Sequence, residues 1–145
     1  MAALSNDLIG PPELQAQLQR VSNIISCAKG TVLFHRGDAV RGAFLVRRGS
    51  VSLSLEIGNP HYPTRVLGPG SIVGLPATMA NAPYSLTAQV AEDAELAFVD
   101  RQSMMDCLRL HPELCFQVMD LLSNEITSIR SALKHVDLGR PGRVS

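Results

Sequence analysis

The sequence predicts a mainly β fold with flanking helices: an antiparallel jelly roll, or double-stranded β-helix, that ends in one long helix. Two observations lead there. Between Val21 and Asp100, seven or eight short runs of alternating apolar and polar residues are cut by turn residues, and no helical stretch between them is long enough for parallel crossovers. After Asp100 the apolar pattern switches to a helical period and keeps it to about Asp137.

The elements follow in order. Pro11 and Pro12 precede Glu13, Leu14, Leu18 and Val21, whose spacing predicts a short amphipathic helix with Pro in its first turn, acting as a lid on the core. The clearest strand points Val51, Leu53, Leu55 and Ile57 inward and Ser52, Ser54 and Glu56 outward. Further strands are expected at Thr31 to Phe34, Ala43 to Arg47, Arg65 to Leu67, Ser71 to Val73, Tyr84 to Ala91 and Glu95 to Val99. Turns fall at Arg36-Gly37-Asp38, Arg48-Gly49, Gly58-Asn59-Pro60, Gly68-Pro69-Gly70 and Glu92-Asp93. Pro76 to Asn81 forms a single helical turn within a barrel loop.

The helical part starts with a short piece, Arg101 to Leu110, and continues from about Pro112 to Asp137. Along it, Cys115, Met119, Leu122, Ile126, Ile129, Leu133 and Val136 form an unbroken heptad seam. Leu114, Val118, Leu121, Ser128 and Ala132 make a second, weaker stripe, so the helix is expected to face two surfaces. With Leu122, Ile129 and Val136 at d, Glu125 falls at g and Arg130 at the next e, a placement that favours a parallel pair of chains. The predicted partner is therefore a second copy. The alternative is one broad core face. In domain terms, residues 1–10 read as a tail and 11–137 as one sensor domain with its jelly roll over about 21–100. Residues 138–145 read as a frayed end or the start of a hinge.

Composition bounds the function. The 145 residues fit one domain, and 46% hydrophobic against 18% charged residues argues against disorder. Thirteen Lys plus Arg balance thirteen Asp plus Glu, so no net charge draws the chain to nucleic acid or to anionic membranes. The first half holds seven Lys/Arg against four Asp/Glu and the second six against nine, which solvates two faces or aligns protomers. No signal peptide or long apolar span is read, and three scattered cysteines fit neither a disulfide framework nor a close-spaced metal site. A reducing cytoplasmic setting is expected.

Five segments carry a resemblance: Lys29-Gly30-Thr31-Val32-Leu33-Phe34, His35-Arg36-Gly37-Asp38, Phe44-Leu45-Val46-Arg47-Arg48-Gly49-Ser50-Val51, Gly68-Pro69-Gly70-Ser71-Ile72-Val73-Gly74 and Tyr84-Ser85-Leu86-Thr87-Ala88. In this order and spacing, from about Leu14 to Asp137, the chain resembles the cyclic-nucleotide-binding sensor domain of the catabolite activator and fumarate-nitrate regulator (Crp/Fnr) family. The resemblance implies a homodimeric ligand sensor rather than an enzyme. In nucleotide-binding members, a Glu after the Gly matching Gly74 holds the ribose, and an Arg further along neutralises the cyclic phosphate.

Here those places hold Leu75 and Tyr84, and from Val66 through Asp100 there is no Lys or Arg. A buried phosphate needs a charge-assisted partner, so the cassette reads as degenerate for cyclic AMP. Arg130 is a candidate replacement cation, with partner of Glu125 as its plainer role. The candidate pocket is Val73, Gly74, Leu75, Pro76, Ala77, Tyr84, Ser85 and Thr87 with Arg130. It suits a mostly apolar small-molecule effector, or else its side chains simply fill the barrel. Family regulators continue into a helix-turn-helix domain, which Leu138 to Ser145 cannot form. The expectation is no nucleic-acid binding through this chain, as a standalone sensor or as a regulator cut at its linker.

No cofactor is expected. Only Cys27 lies near the N-terminal end, where iron-sulfur members cluster cysteines. His35, His61, His111 and His135 lack metal-ligand spacing, which leaves a cupin-like metal enzyme as a second alternative. Nothing groups Ser, His and Asp as a triad.

Overall fold

The structure, a computed structural model, describes residues 4–5, 8–59 and 64–123. In chain order the elements are β1 (Leu4–Ser5), α1 (Pro12–Arg20), β2 (Asn23–Cys27), β3 (Val32–Phe34), β4 (Gly42–Ser54), β5 (Arg65–Leu67), β6 (Ile72–Val73), α2 (Leu75–Ala80), β7 (Thr87–Asp100) and α3 (Arg101–Leu110). A further helix, α4, occupies residues 114–123. The result is the expected jelly roll with flanking helices.

Two long strands organise it. The first half of β4 pairs antiparallel with the second half of β7, from Gly42 opposite Asp100 to Val46 opposite Leu96. Its second half pairs with the first half of β7, from Ser50 opposite Glu92 to Ser54 opposite Thr87. Short strands extend each half: β6 lies on Phe44 and Leu45, β5 on Val51 to Leu53, β2 on Ala94 to Phe98, and β3 on Ala88 and Gln89. Because each long strand bends between its halves, one chain segment serves both layers.

That bend corrects the predicted turns at Arg48-Gly49 and Glu92-Asp93. The ladder is not broken there; its register shifts between Val46 and Val51. Gly49 sits at φ +82°, and a Cβ on it would lie 2.3 Å from the Asp93 carbonyl oxygen, so the bulge needs glycine both for its conformation and for close approach. The same glycine signal that marks a hairpin marks a bulge. The strand centred on Val51 also ends earlier than predicted: Leu55 is half-buried, Ile57 is exposed and Ser54 faces inward. Tyr84 precedes β7 instead of opening it.

Two elements escape the sequence reading. β2 carries only exposed or half-buried residues, so it lacks a core alternation. The stretch read as a tail joins the sheet: β1 runs parallel to β5, Ile9 bridges Ser71, and Leu8 is buried in the barrel core.

The core has two compartments separated by the sheet. Inside the barrel are Phe34, Phe44, Val46, Val51, Leu53, Leu67, Tyr84 and Leu96. Between the outer sheet face and the helices are Leu14, Leu18, Ala43, Leu45, Ala97, Val99, Met104, Leu114, Val118 and Leu121. The strict alternation of Ala43, Phe44, Leu45 and Val46 between the two is the two-residue period of a strand buried on both faces. The lid predicted for α1 is this outer cover, with Leu14 and Leu18 almost wholly buried, each contributing about 2 kcal/mol of apolar burial.

Candidate ligand-binding site

The cassette loop is built by local backbone chemistry. Gly74 caps α2 in the left-handed region at φ +84°, the Thr78 hydroxyl donates back to the Gly74 carbonyl at 2.8 Å, and Asn81 ends the helix at φ +53°. Arg101, the first cation after the basic-free stretch, donates from Nε to the Thr78 carbonyl at 2.9 Å. Its charge serves the C-terminal end of α2 and not the cassette's glycine end.

Tyr84 holds the position the resemblance assigns to a phosphate-binding arginine. Its ring stacks on Phe34, centroids 3.6 Å apart and 8° from parallel. Its hydroxyl donates to the Gly42 carbonyl at 2.6 Å and accepts from the Gly42 and Arg41 amides, each at 3.2 Å. The backbone is tied as well: Tyr84 N–H donates to the Asp38 carbonyl and Gly37 N–H to the Tyr84 carbonyl. A Cβ on Gly74 would lie 3.1 Å from the Tyr84 ring edge. The side chain is thus a buried aromatic clamp between the cassette, β3 and the start of β4.

Among the described residues, the space beside Tyr84 is about 20 Å³, bounded by Phe34, Leu53, Gly74, Pro76, Ala77, Tyr84, Ser85 and Leu86. That is room for about one water molecule. Of the predicted pocket residues, the structure brings Gly74, Pro76, Ala77, Tyr84 and Ser85 to this space. Val73 is packed into the barrel core, and Leu75 turns the other way, into the compartment beneath the helices. Thr87 accepts from the Arg36 amide at 2.9 Å and lines a separate surface groove. Sequence reasoning missed Phe34, Leu53 and Leu86; the inward alternation of Leu53 and the place of Phe34 at the end of its glycine-led motif were the available signals.

On α4, the second stripe residues Leu114, Val118 and Leu121 are buried against the outer core, while Met119 of the seam stays 60% exposed and Cys115 and Leu122 are half-buried. The seam residues Glu125, Ile126, Ile129, Arg130, Leu133 and Val136, and with them most of the predicted long helix, lie outside the described residues. All three cysteines are free thiols, and burial pushes the Cys27 and Cys107 thiols up from their ordinary value. Among the described residues, no three His, Cys, Asp or Glu side chains come together as metal ligands would, and no helix is long and apolar enough to cross a membrane.

This geometry defines a cyclic-nucleotide-binding fold in which Tyr84 packs against the cassette glycine. Residues 24–111 match the cyclic nucleotide-binding domain family model, and the chain belongs to that family. It is 31% identical over 119 residues to an anaerobic regulatory protein of Aggregatibacter actinomycetemcomitans and 25% identical over 114 residues to the HTH-type transcriptional regulator Cmr of Mycobacterium tuberculosis. Each match covers 79% of this chain and 46% of the relative. The chain thus spans about half the length of these curated relatives. Among solved structures, the Thermus thermophilus catabolite activator protein superposes with a TM-score of 0.69 at 23% identity, covering 86% of this chain and 59% of the other. The relatives are regulators, which favours a Crp/Fnr-type sensor over a cupin-like enzyme.

Proposed function

We propose that this chain is the ligand-sensing domain of a Crp/Fnr-type regulator, a cytoplasmic non-enzyme acting as a parallel homodimer, whose cassette no longer takes a cyclic nucleotide in the usual way. The observation that carries the reading is Tyr84: a neutral, fully engaged ring stands where the cyclic phosphate would need a cation, and about 20 Å³ remains beside it. Binding of a small-molecule effector, in place of the cyclic nucleotide, would then be coupled to the relative orientation of two C-terminal helices.

The exposed Met119 supports the dimer, although Cys115 and Leu122 of the same seam pack partly on the chain's own core. Met119 exposes its side chain while Leu114 and Val118 on the same helix are buried, as expected of a helix with one face on its own core and one on a partner. The domain assignment is 11–137, now with the N-terminal residues contributing a strand. A second reading, the effector half of a DNA-binding regulator, is favoured by the HTH-type relative. Isothermal titration calorimetry tests the main claim. Cyclic AMP and cyclic GMP are expected to bind no tighter than roughly millimolar, about −4 kcal/mol; micromolar binding would overturn it.

A further inference from the structure

We infer that the surface groove formed by His35, Arg36, Leu55, Glu56, Ile57 and Thr87 binds a small amphipathic carboxylate, with Arg36 as its charge partner and Leu55 and Ile57 as its apolar wall. The inference rests on the reading above, in which the filled cassette leaves the domain's ligand to be held elsewhere. The groove is open to solvent and measures about 390 Å³, against about 20 Å³ inside the cassette.

Both grooves hold carboxylates, and ion pairing at the arginine separates them. A larger groove, of about 480 Å³, contains Arg48, but that guanidinium lies 3.4 Å from Glu95, and Asp93 lines the same space. In the smaller groove, Arg36 makes no ion pair with any described residue. His35 adds a second ionisable nitrogen, 3.7 Å from Asp38. The opposing carboxylate, Glu56, accepts from the Asn59 side chain at 3.4 Å. It also makes a dianionic ligand unfavourable in the same space.

The loop that carries Arg36 is fixed before any ligand arrives. Asp38 accepts the His35 amide at 2.9 Å, Thr87 the Arg36 amide at 2.9 Å, the Tyr84 carbonyl the Gly37 amide at 2.8 Å, and the His35 carbonyl the Asp38 amide at 3.0 Å. Little backbone entropy is therefore lost on binding. The same bonds decide the ligand's head group. With all four loop amides engaged, no backbone nest is left for an anion, so the guanidinium is its partner; it pairs with the two oxygens of a carboxylate, and Glu56 disfavours a more highly charged phosphate. The Thr87–Arg36 and Tyr84–Gly37 bonds also join this groove to the start of β7 and to the segment before it, so occupancy on the surface acts on the segment that carries Tyr84.

An amide NMR titration of the whole chain with octanoate, and with methyl octanoate as the uncharged control, tests this. Octanoate is expected to shift the Arg36, Ile57 and Thr87 amides saturably. Methyl octanoate and the Arg36→Gln variant should each bind at least tenfold more weakly, with Arg48→Gln unchanged. Equal loss in Arg48→Gln, or no saturable shift at millimolar octanoate, would overturn the groove. Cyclic AMP added as a third probe separates the two readings: saturable shifts at Gly74 and Ala77 would overturn the closed cassette beneath the inference, whereas silence from all three ligands overturns the groove alone.

Discussion

Tyr84 is the residue on which the local account turns, because one hydroxyl serves three backbone groups at Arg41 and Gly42. Removing it takes that partner from the buried Gly42 groups and the part-buried Arg41 amide while the ring and its Phe34 stack stay. Tyr84→Phe should therefore cost about 1–3 kcal/mol in urea unfolding, with an unchanged fold by circular dichroism. Asp100 acts in the same way at a helix end. Its carboxylate accepts from the Ser103 amide at 3.1 Å and from the Ser103 hydroxyl at 2.7 Å, and these bonds hold its pKa below the ordinary 3.8. The charged form is the bonded one, so its contribution is present above the unfolded value and is lost as pH falls through the lower folded one. Asp100→Ala should cost about 1 kcal/mol near neutral pH, and the difference from the parent should shrink in acid unfolding below pH 3.8.

At the scale of elements, β4 and β7 define the barrel, and the bulge at Gly49 allows each to bend across both layers. Gly49→Ala should destabilise by about 2 kcal/mol or more, since the left-handed backbone and the close Asp93 carbonyl both oppose a Cβ; thermal unfolding measures this. Helices α1 and α2 were legible residue by residue, because Pro12, Pro76 and the three-and-four spacing of Leu14 and Leu18 act locally. The alternation at Val51 and Leu53 was legible for the same reason. The continuity of β4 was not, since a glycine at positive φ ends a strand in a hairpin and bends it in a bulge, and only the partner strand decides which. β2 and β1 stayed hidden because their role is pairing along an edge, which leaves no hydrophobic period in the chain.

On the scale of the whole molecule, the sequence shows a cassette stretch without Lys or Arg but not which side chains pack there. Absence of Lys and Arg between Val66 and Asp100 is a statement about composition, whereas the Phe34–Tyr84 stack joins residues fifty positions apart. Leu75 shows the converse: adjacent to the cassette glycine in sequence, it packs on the far side of the sheet. The dimer is argued from the Met119 side of α4 and the heptad spacing beyond it. Leu133→Asp should convert dimers to monomers in sedimentation velocity, and an unchanged dimer would remove the seam. The claim beneath all of this is that the barrel is already occupied by its own tyrosine. Amide spectra of the labelled protein at saturating cyclic AMP test it most directly: Gly74, Ala77 and Tyr84 should hold their positions, and saturable movement of all three at micromolar nucleotide would contradict the account.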